Sequence, residues 1–325
     1  MTLDEAFQAR QTCNLDVLRL ALAICVIVSH AWPRALGATA MEPLESATQR
    51  SLGGWAVGGF FFISGMLITA SAQRGTGKTF WIARVRRIFP GLGVALLVTL
   101  GLAVAFGATV TVGESVIWFC RAFSLVSIEH RLSEAFAENP LNGVVNGPIW
   151  SLFHEIVSYV VCASFVIFGG MRWSWIVVVL AVTATSLAAV HDDLPARFST
   201  FTPLFAAFAW GMVAYIWRNW ILLRWEAGLA LILLGAVLPW SVGMGAVAMG
   251  LVMLVLLAPE VPMSRDVSFG MYIYGWPVAQ SIVALIPEIG PVALAGLSVI
   301  VTYPFAALSW DLVERPFTTV RRAEV

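Results

Sequence analysis

The chain is poor in charge. Of its 325 residues, 12% are Asp, Glu, Lys or Arg, while 59% are hydrophobic. Soluble domains carry roughly 25% charged residues, so too little polar surface is present to coat a body in water. A mean hydropathy of +0.86 makes the bilayer part of the solvent. Other absences narrow the class further. Acidic and basic residues balance at 19 each, so the charge total asks for no nucleic acid. Cys13, Cys25, Cys120 and Cys162 show no CxxC spacing, which leaves metal and disulfide roles without a framework, and no metal site is expected. Gly75, Gly77 and Lys78 do not complete a phosphate-binding GxxxxGK[ST] loop. No small-residue cleavage site convincingly follows the first apolar run, Leu15 to Trp32, so that run is read as a retained helix. Neither an internal repeat nor a long linker stands out, and residues 1–325 read as a single domain.

What is present is a series of long apolar runs. Helices satisfy their own backbone hydrogen bonds in lipid, whereas a barrel would show short alternating segments. The sequence predicts an all-α, polytopic bundle of about ten spans, at residues 15–33, 52–72, 88–110, 149–170, 174–190, 202–217, 227–241, 243–258, 267–287 and 291–313. Segment 114–128 contains Glu114 and Arg121 and is read as interfacial or re-entrant. With the N-terminus in the cytoplasm, the inner segments hold thirteen basic residues: Arg10, Arg74, Lys78, Arg84, Arg86, Arg87, Arg172, Arg218, Arg224, Arg265, Arg315, Arg321 and Arg322. The outer segments hold five, Arg34, Arg50, Arg121, Arg131 and Arg197. That bias places both termini inside.

Ionisable residues within spans are costly and mark candidate sites. In the first span, NLDVLRLALAICVIVSHAW, Arg19 and His30 stand eleven residues apart. That is almost three helical turns, so they share a face about 16 Å apart along the axis, with Arg19 inward and His30 outward. Arg19 alternatively snorkels or pairs with Asp16, and His30 alternatively serves helix packing. The fourth span begins GPIWSLFHEIVSYVV, with Glu155 at a depth like that of His30. A carboxylate that fixes the tautomer of an imidazole prepares it as a general base. Glu155 could instead pair with an arginine to hold helices together. His154 points about 100° away around the helix. The inner stretch QRGTGKTFWIARVRRIFP gathers Arg74, Lys78, Arg84, Arg86 and Arg87 without an acidic residue. Such a loop sets topology or touches anionic lipid, but guanidinium groups also bind phosphates bidentately. In GGFFFISGMLIT, Gly58, Gly59, Ser64 and Gly65 suit close helix packing. The outer segment 131–148 is either an acceptor-binding loop or a solvated one.

Several stretches together resemble the acyltransferase-3 family along nearly the whole chain. LDVLRLALAICVIVSH carries the Arg, ten residues, His spacing of the family's first helix at Arg19 and His30. FFFISGMLIT resembles the second helix, and ARVRRIFP the basic inner loop, with Arg84 and Arg87 in the Arg-x-x-Arg positions. WSLFHEIVSY resembles the Trp-Ser-Leu-x-x-Glu stretch and puts the acidic residue at Glu155. VSFGMYIYGWPV and WDLVERPF resemble two late segments, except that Gly275 stands where the family usually has histidine.

The resemblance implies ten helices, an acyl-CoA donor (acetyl-CoA foremost), and transfer to a hydroxyl of an extracytoplasmic carbohydrate or glycolipid at a bacterial inner membrane. His30 and Glu155 would be catalytic, with Arg19, Arg84 and Arg87 near the donor's phosphates. Ser151, Trp150 and Tyr159 are candidate donors to the oxyanion. A transporter or flippase using the buried Arg, His and Glu is the rival reading, although no pair of repeat-related broken helices is visible. A lipid-linked glycosyltransferase would need an acidic surface site, for which only Asp192-Asp193 offers an adjacent pair.

Overall fold

The computed structural model describes residues 1–9, 13–75, 77–126, 129–167, 169, 174–190 and 193–319. Arg10, Arg172, Arg321 and Arg322 of the charge count, and Asp192, lie outside the described residues. The described chain is all-α. A short α1 (Leu3–Gln8) precedes α2 (Cys13–Ser29), α3 (Ala31–Leu36), α4 (Pro43–Thr48), α5 (Leu52–Arg74) and α6 (Gly77–Ala105). After α7 (Val112–Ser124) come α8 (Trp150–Ile167), α9 (Ser174–Ala189), α10 (Ala196–Ile216), α11 (Trp225–Val237) and α12 (Trp240–Leu257). The chain closes with α13 (Ser268–Leu285), α14 (Pro291–Ser309), a π turn (Trp310–Glu314) and α15 (Arg315–Thr319).

Among the described residues, seven helical stretches are long and apolar enough to cross a membrane, and α9 and α11 are shorter apolar helices. Every predicted run holds one of these helices or α13. α13 is less apolar because it is enclosed: Tyr272, Tyr274, Trp276 and Gln280 all lie buried along it. Conversely, Leu233, Val237, Ile300 and Leu312 are each at least 69% exposed, a pattern that lipid, not water, solvates. This is a polytopic helical bundle. One boundary moved substantially. α6 begins at Gly77, eleven residues before the predicted 88, because KTFWIARVRR continues the same helix. Pro90 sits inside it, as membrane helices allow. Residues 127 and 128 of segment 114–128 lie outside the described residues, and most of the rest belongs to the amphipathic α7, whose thirteen residues rise only about 20 Å. Its start is a capping box in which Thr111 and Glu114 each bond the other's backbone N–H.

The chain divides into two compact units. The first comprises Met1–Leu22, Trp55–Phe80 and His154–Ser264. Here α5 meets α10 at glycine on glycine: a side-chain carbon at Gly65 would collide with the Phe208 carbonyl, and one at Gly211 with the Phe62 carbonyl. Gly58 accommodates Met244 in the same way, so this glycine run serves packing, as its spacing predicted. Asn14 caps the end of α12, donating to the Val255, Ala258 and Pro259 carbonyls while its Oδ1 accepts from Val261 N. The N-terminal residues are tied down. Leu3 N donates to Ile221 O at 2.9 Å, Leu223 N to Met1 O at 2.9 Å, and Arg218 Nε to Asp4 Oδ1 at 2.6 Å.

The second unit comprises Ala23–Gly54, Trp81–Phe153 and Arg265–Val325. Its apolar core joins Ala31 of α3 to Val278, Ala279, Ile282 and Val283 of α13 and to Leu294 and Ala295 of α14. The segment 129–148 is not a loose loop. Asn139 Nδ2 donates to Gln280, Gln280 Nε2 donates to the Leu141 and Val144 carbonyls, and Asn146 Nδ2 donates to Thr99 Oγ1 and the Ile273 carbonyl. Buried side-chain amides thus fasten it to α13, where each unmade bond would carry a desolvation cost. The four cysteines are free, and only Cys162 is fully buried.

Candidate active site

Pro33 sets the position of His30. It has no N–H to give the Ser29 carbonyl and its ring crowds that carbonyl, so the helix breaks between α2 and α3. His30 occupies the break, at φ −76° and ψ −5°. Its Nδ1 lies 2.7 Å from the Val26 carbonyl. A carbonyl can only accept, so Nδ1 carries the hydrogen and Nε2 keeps its lone pair. The group that fixes the tautomer is therefore a backbone carbonyl of the same helix. The half-buried ring packs against Trp276 in a T-shaped contact, 5.3 Å between centroids.

Trp276 is itself held from several sides. Its Nε1 donates to the Val144 carbonyl at 3.0 Å. A side-chain carbon at Gly147 would come within 2.8 Å of its ring, so glycine there lets the segment lie against the indole. Arg34, one helical turn after His30, places its guanidinium carbon 4.0 Å from the ring centroid. The sequence reading counted Arg34 only as an outer-loop charge. The signal for it was the i, i+4 spacing from His30. Gly275 faces Ile27, whose Cγ1 would be 2.7 Å from an added side-chain carbon. A larger residue there would require the Ile27 side chain to shift.

In the first unit, Glu155 Oε1 accepts from Ser64 Oγ at 3.0 Å and from the Tyr159 hydroxyl one turn along α8. These partners are hydroxyls, which hold a carboxylate in place without neutralising it. His154 points elsewhere, as its phase predicted: it stacks on Phe201 and meets Thr200 at 3.3 Å. Arg19 pairs with Asp16 at 3.5 Å.

The basic stretch of α6 lies in the second unit from Trp81 onward. Arg87 gives Nη2 to Asp266 at 2.6 Å and Nη1 to Glu314 at 3.5 Å. Asp266 did not enter the sequence reading, and Glu314 entered it only as part of the late segment WDLVERPF. Glu314 reaches Arg87 from the π turn that ends α14, a register that the 3.6-residue pattern hides. Arg84 is half-buried and Arg86 exposed. The Ser151 and Tyr272 hydroxyls lie 2.7 Å apart and 3.2 and 3.1 Å from the Pro148 carbonyl; with one hydrogen each, one hydroxyl donates to the other, which donates to the carbonyl. Among the described residues, no group of three or more His, Cys, Asp or Glu side chains could hold a metal ion.

The model of an acyltransferase domain, that of the acyltransferase-3 family, matches residues 14–311. A nodulation protein, nodulation protein 10 of Rhizobium leguminosarum bv. viciae, is 28% identical over 96% of this chain and 95% of its own. An O-acetyl transferase of Shigella phage Sf6 is 28% identical over 94% of this chain and 95% of its own. No solved structure matches the chain.

Proposed function

The chain belongs to the acyltransferase-3 family and is a membrane acyltransferase, and on that premise we propose that it carries an acetyl group from acetyl-CoA on the cytoplasmic side to a hydroxyl of a carbohydrate or glycolipid outside a bacterial inner membrane. The observation that carries this reading is His30. Its Nδ1 is committed to the Val26 carbonyl, leaving Nε2 as a positioned base. The similarity to a phage O-acetyl transferase supports oxygen as the acceptor atom and acetyl as the group moved.

In this reading Nε2 of His30 takes the acceptor hydroxyl's proton as the oxygen attacks the thioester carbonyl. The tetrahedral adduct collapses, the C–S bond breaks, and the imidazolium returns the proton to the departing thiolate. General base catalysis of this kind contributes roughly 10²- to 10⁴-fold. Glu155 is the second catalytic residue, a carboxylate kept in place by Ser64 and Tyr159. Arg19, Arg84 and Arg87 meet the donor's phosphates. Arg87 already gives Nη1 and Nη2 to carboxylates, so it orients that basic edge, and Arg84 adds charge-assisted bonds to the phosphates.

The test uses purified protein in detergent with radiolabelled acetyl-CoA, following binding and thioester turnover. Wild type binds and turns over the donor. His30→Ala binds equally and loses turnover by about 10²-fold or more. Arg84→Ala raises the donor's KM roughly 10- to 100-fold, the worth of a charged hydrogen bond. Near-normal turnover in His30→Ala would remove the histidine from the chemistry, and failure to bind any short acyl-CoA would overturn the donor assignment.

A further inference from the structure

Arg34 is 1% exposed, yet its Nε and Nη1 are buried without a hydrogen-bond partner. Among the described residues no carboxylate lies within ion-pair distance of it. A buried guanidinium with unmet donors is costly, and its compensation is the face of Trp276. Cation–π contact with an indole offsets only part of that cost. The arrangement is nonetheless rigid. α3 packs on α13 and α14 through Ala31, Trp276 is pinned by Val144, and Gly37, at φ +101°, ends α3 directly after Leu36. His30 and Arg34 touch the same indole, His30 in a T-shaped contact and Arg34 over the ring face.

We propose that Arg34 is a catalytic residue whose unmet N–H groups receive the oxyanion that forms as the acceptor oxygen, deprotonated by His30, adds to the acyl carbonyl. The inference rests on the acyl transfer proposed above. The electrons balance within that step. The new C–O bond forms, the carbonyl π pair moves onto oxygen, and that oxygen lies against Nε–H and Nη1–H of Arg34. When the C–S bond breaks, the pair returns and the carbonyl withdraws from the guanidinium. A donor left unsatisfied in the resting protein is what transition-state binding requires, because nothing has to be displaced when charge develops. Trp276 holds the guanidinium plane while leaving its N–H edges free.

The experiment compares Arg34→Met, Arg34→Lys and Arg34→Ala with wild type in the detergent assay, reading kcat, the donor's KM and the thermal unfolding midpoint. The expected result is a kcat lowered about 10²- to 10³-fold at unchanged donor KM, with an unchanged or raised midpoint in Arg34→Met, since an uncompensated buried charge has been removed. Added guanidinium restores part of the kcat of Arg34→Ala. A lowered midpoint with activity falling only in step with the folded fraction would make Arg34 structural and end the proposal. A loss confined to the donor's KM would end it too, assigning the arginine to donor binding. If wild type turns over acetyl-CoA and Arg34→Met keeps its kcat, the oxyanion role alone falls. If wild type turns over no acyl-CoA, the proposed function falls and takes this role with it.

Discussion

Glu314 turns inward on its π turn, where it is 1% exposed and meets Arg87 at 3.5 Å and the Ser309 hydroxyl at 3.0 Å. Asp266 completes the cluster at 2.6 Å from Arg87. Removing one member of such a group leaves the others charged and enclosed. Arg87→Met should therefore destabilise the protein by about 2–4 kcal/mol, read as a lower unfolding midpoint in detergent. Adding Glu314→Gln to it should recover part of that loss, because the orphaned charge is gone. An unchanged midpoint in Arg87→Met would show that the cluster contributes no stability. At this scale the sequence showed which residues were out of place in lipid, since Arg19, His30 and Glu155 stand out against apolar neighbours. It did not show their partners. The Val26 carbonyl that holds His30 is a backbone group, and no side-chain pattern announces it. Arg34 escaped notice because a charge next to a loop looks solvated until α13 is seen to place Trp276 over it.

Helix packing follows small residues. At the crossing of α5 and α10 each backbone rests on the other's glycine. Gly65→Ala or Gly211→Ala should force the helices apart and cost about 1–3 kcal/mol, visible as a lower midpoint and poorer extraction in detergent. Gly101, in α6, has open space around it, so Gly101→Ala should be neutral or slightly stabilising. Equal damage at all three positions would refute close packing as the cause. α7 offers a pH test. The Thr111 backbone N–H and hydroxyl hold the Glu114 carboxyl below the usual carboxylate range. A depressed folded value means that the cap is fully present above the ordinary Glu pKa and is lost as pH falls through the lower one. Protection factors of the first-turn amides of α7, with the intrinsic pH dependence of exchange divided out, should fall over that acidic window, and in Thr111→Ala they should be lower than wild type above it. Protection that ignores pH would remove the cap from the account. The elements themselves were legible because a run long enough to cross lipid is a coarse signal. The early start of α6 was not, since a basic stretch reads as a loop until its helical continuity with the apolar run is seen.

For the whole molecule, the arginine distribution predicts both ends in the cytoplasm. In a variant stripped of its four cysteines, Glu138→Cys and Glu288→Cys should react with a membrane-impermeant maleimide added to intact cells, and Glu226→Cys only after permeabilisation. All three native side chains are exposed, so reagent access reads topology. The reverse labelling would invert the bundle and separate acetyl-CoA from the basic stretch of α6. Bundle class was legible from composition, because lipid as solvent removes the need for charge. The division into two units was not, since each gathers three separate stretches of the chain.

The bonds between the N-terminal residues and those after α10 also bear on assembly during synthesis. Asp4 and its partner Arg218 are 214 residues apart. At translation speeds of about 5–20 residues per second, the earlier segment waits roughly 10–40 s for the later one to emerge. Through that interval α1 has no partner in its final place, and a fusion attached ahead of Met1 would crowd the backbone amide of Leu223 that Met1 must meet. A carrier appended at the other end of the chain leaves that late docking undisturbed.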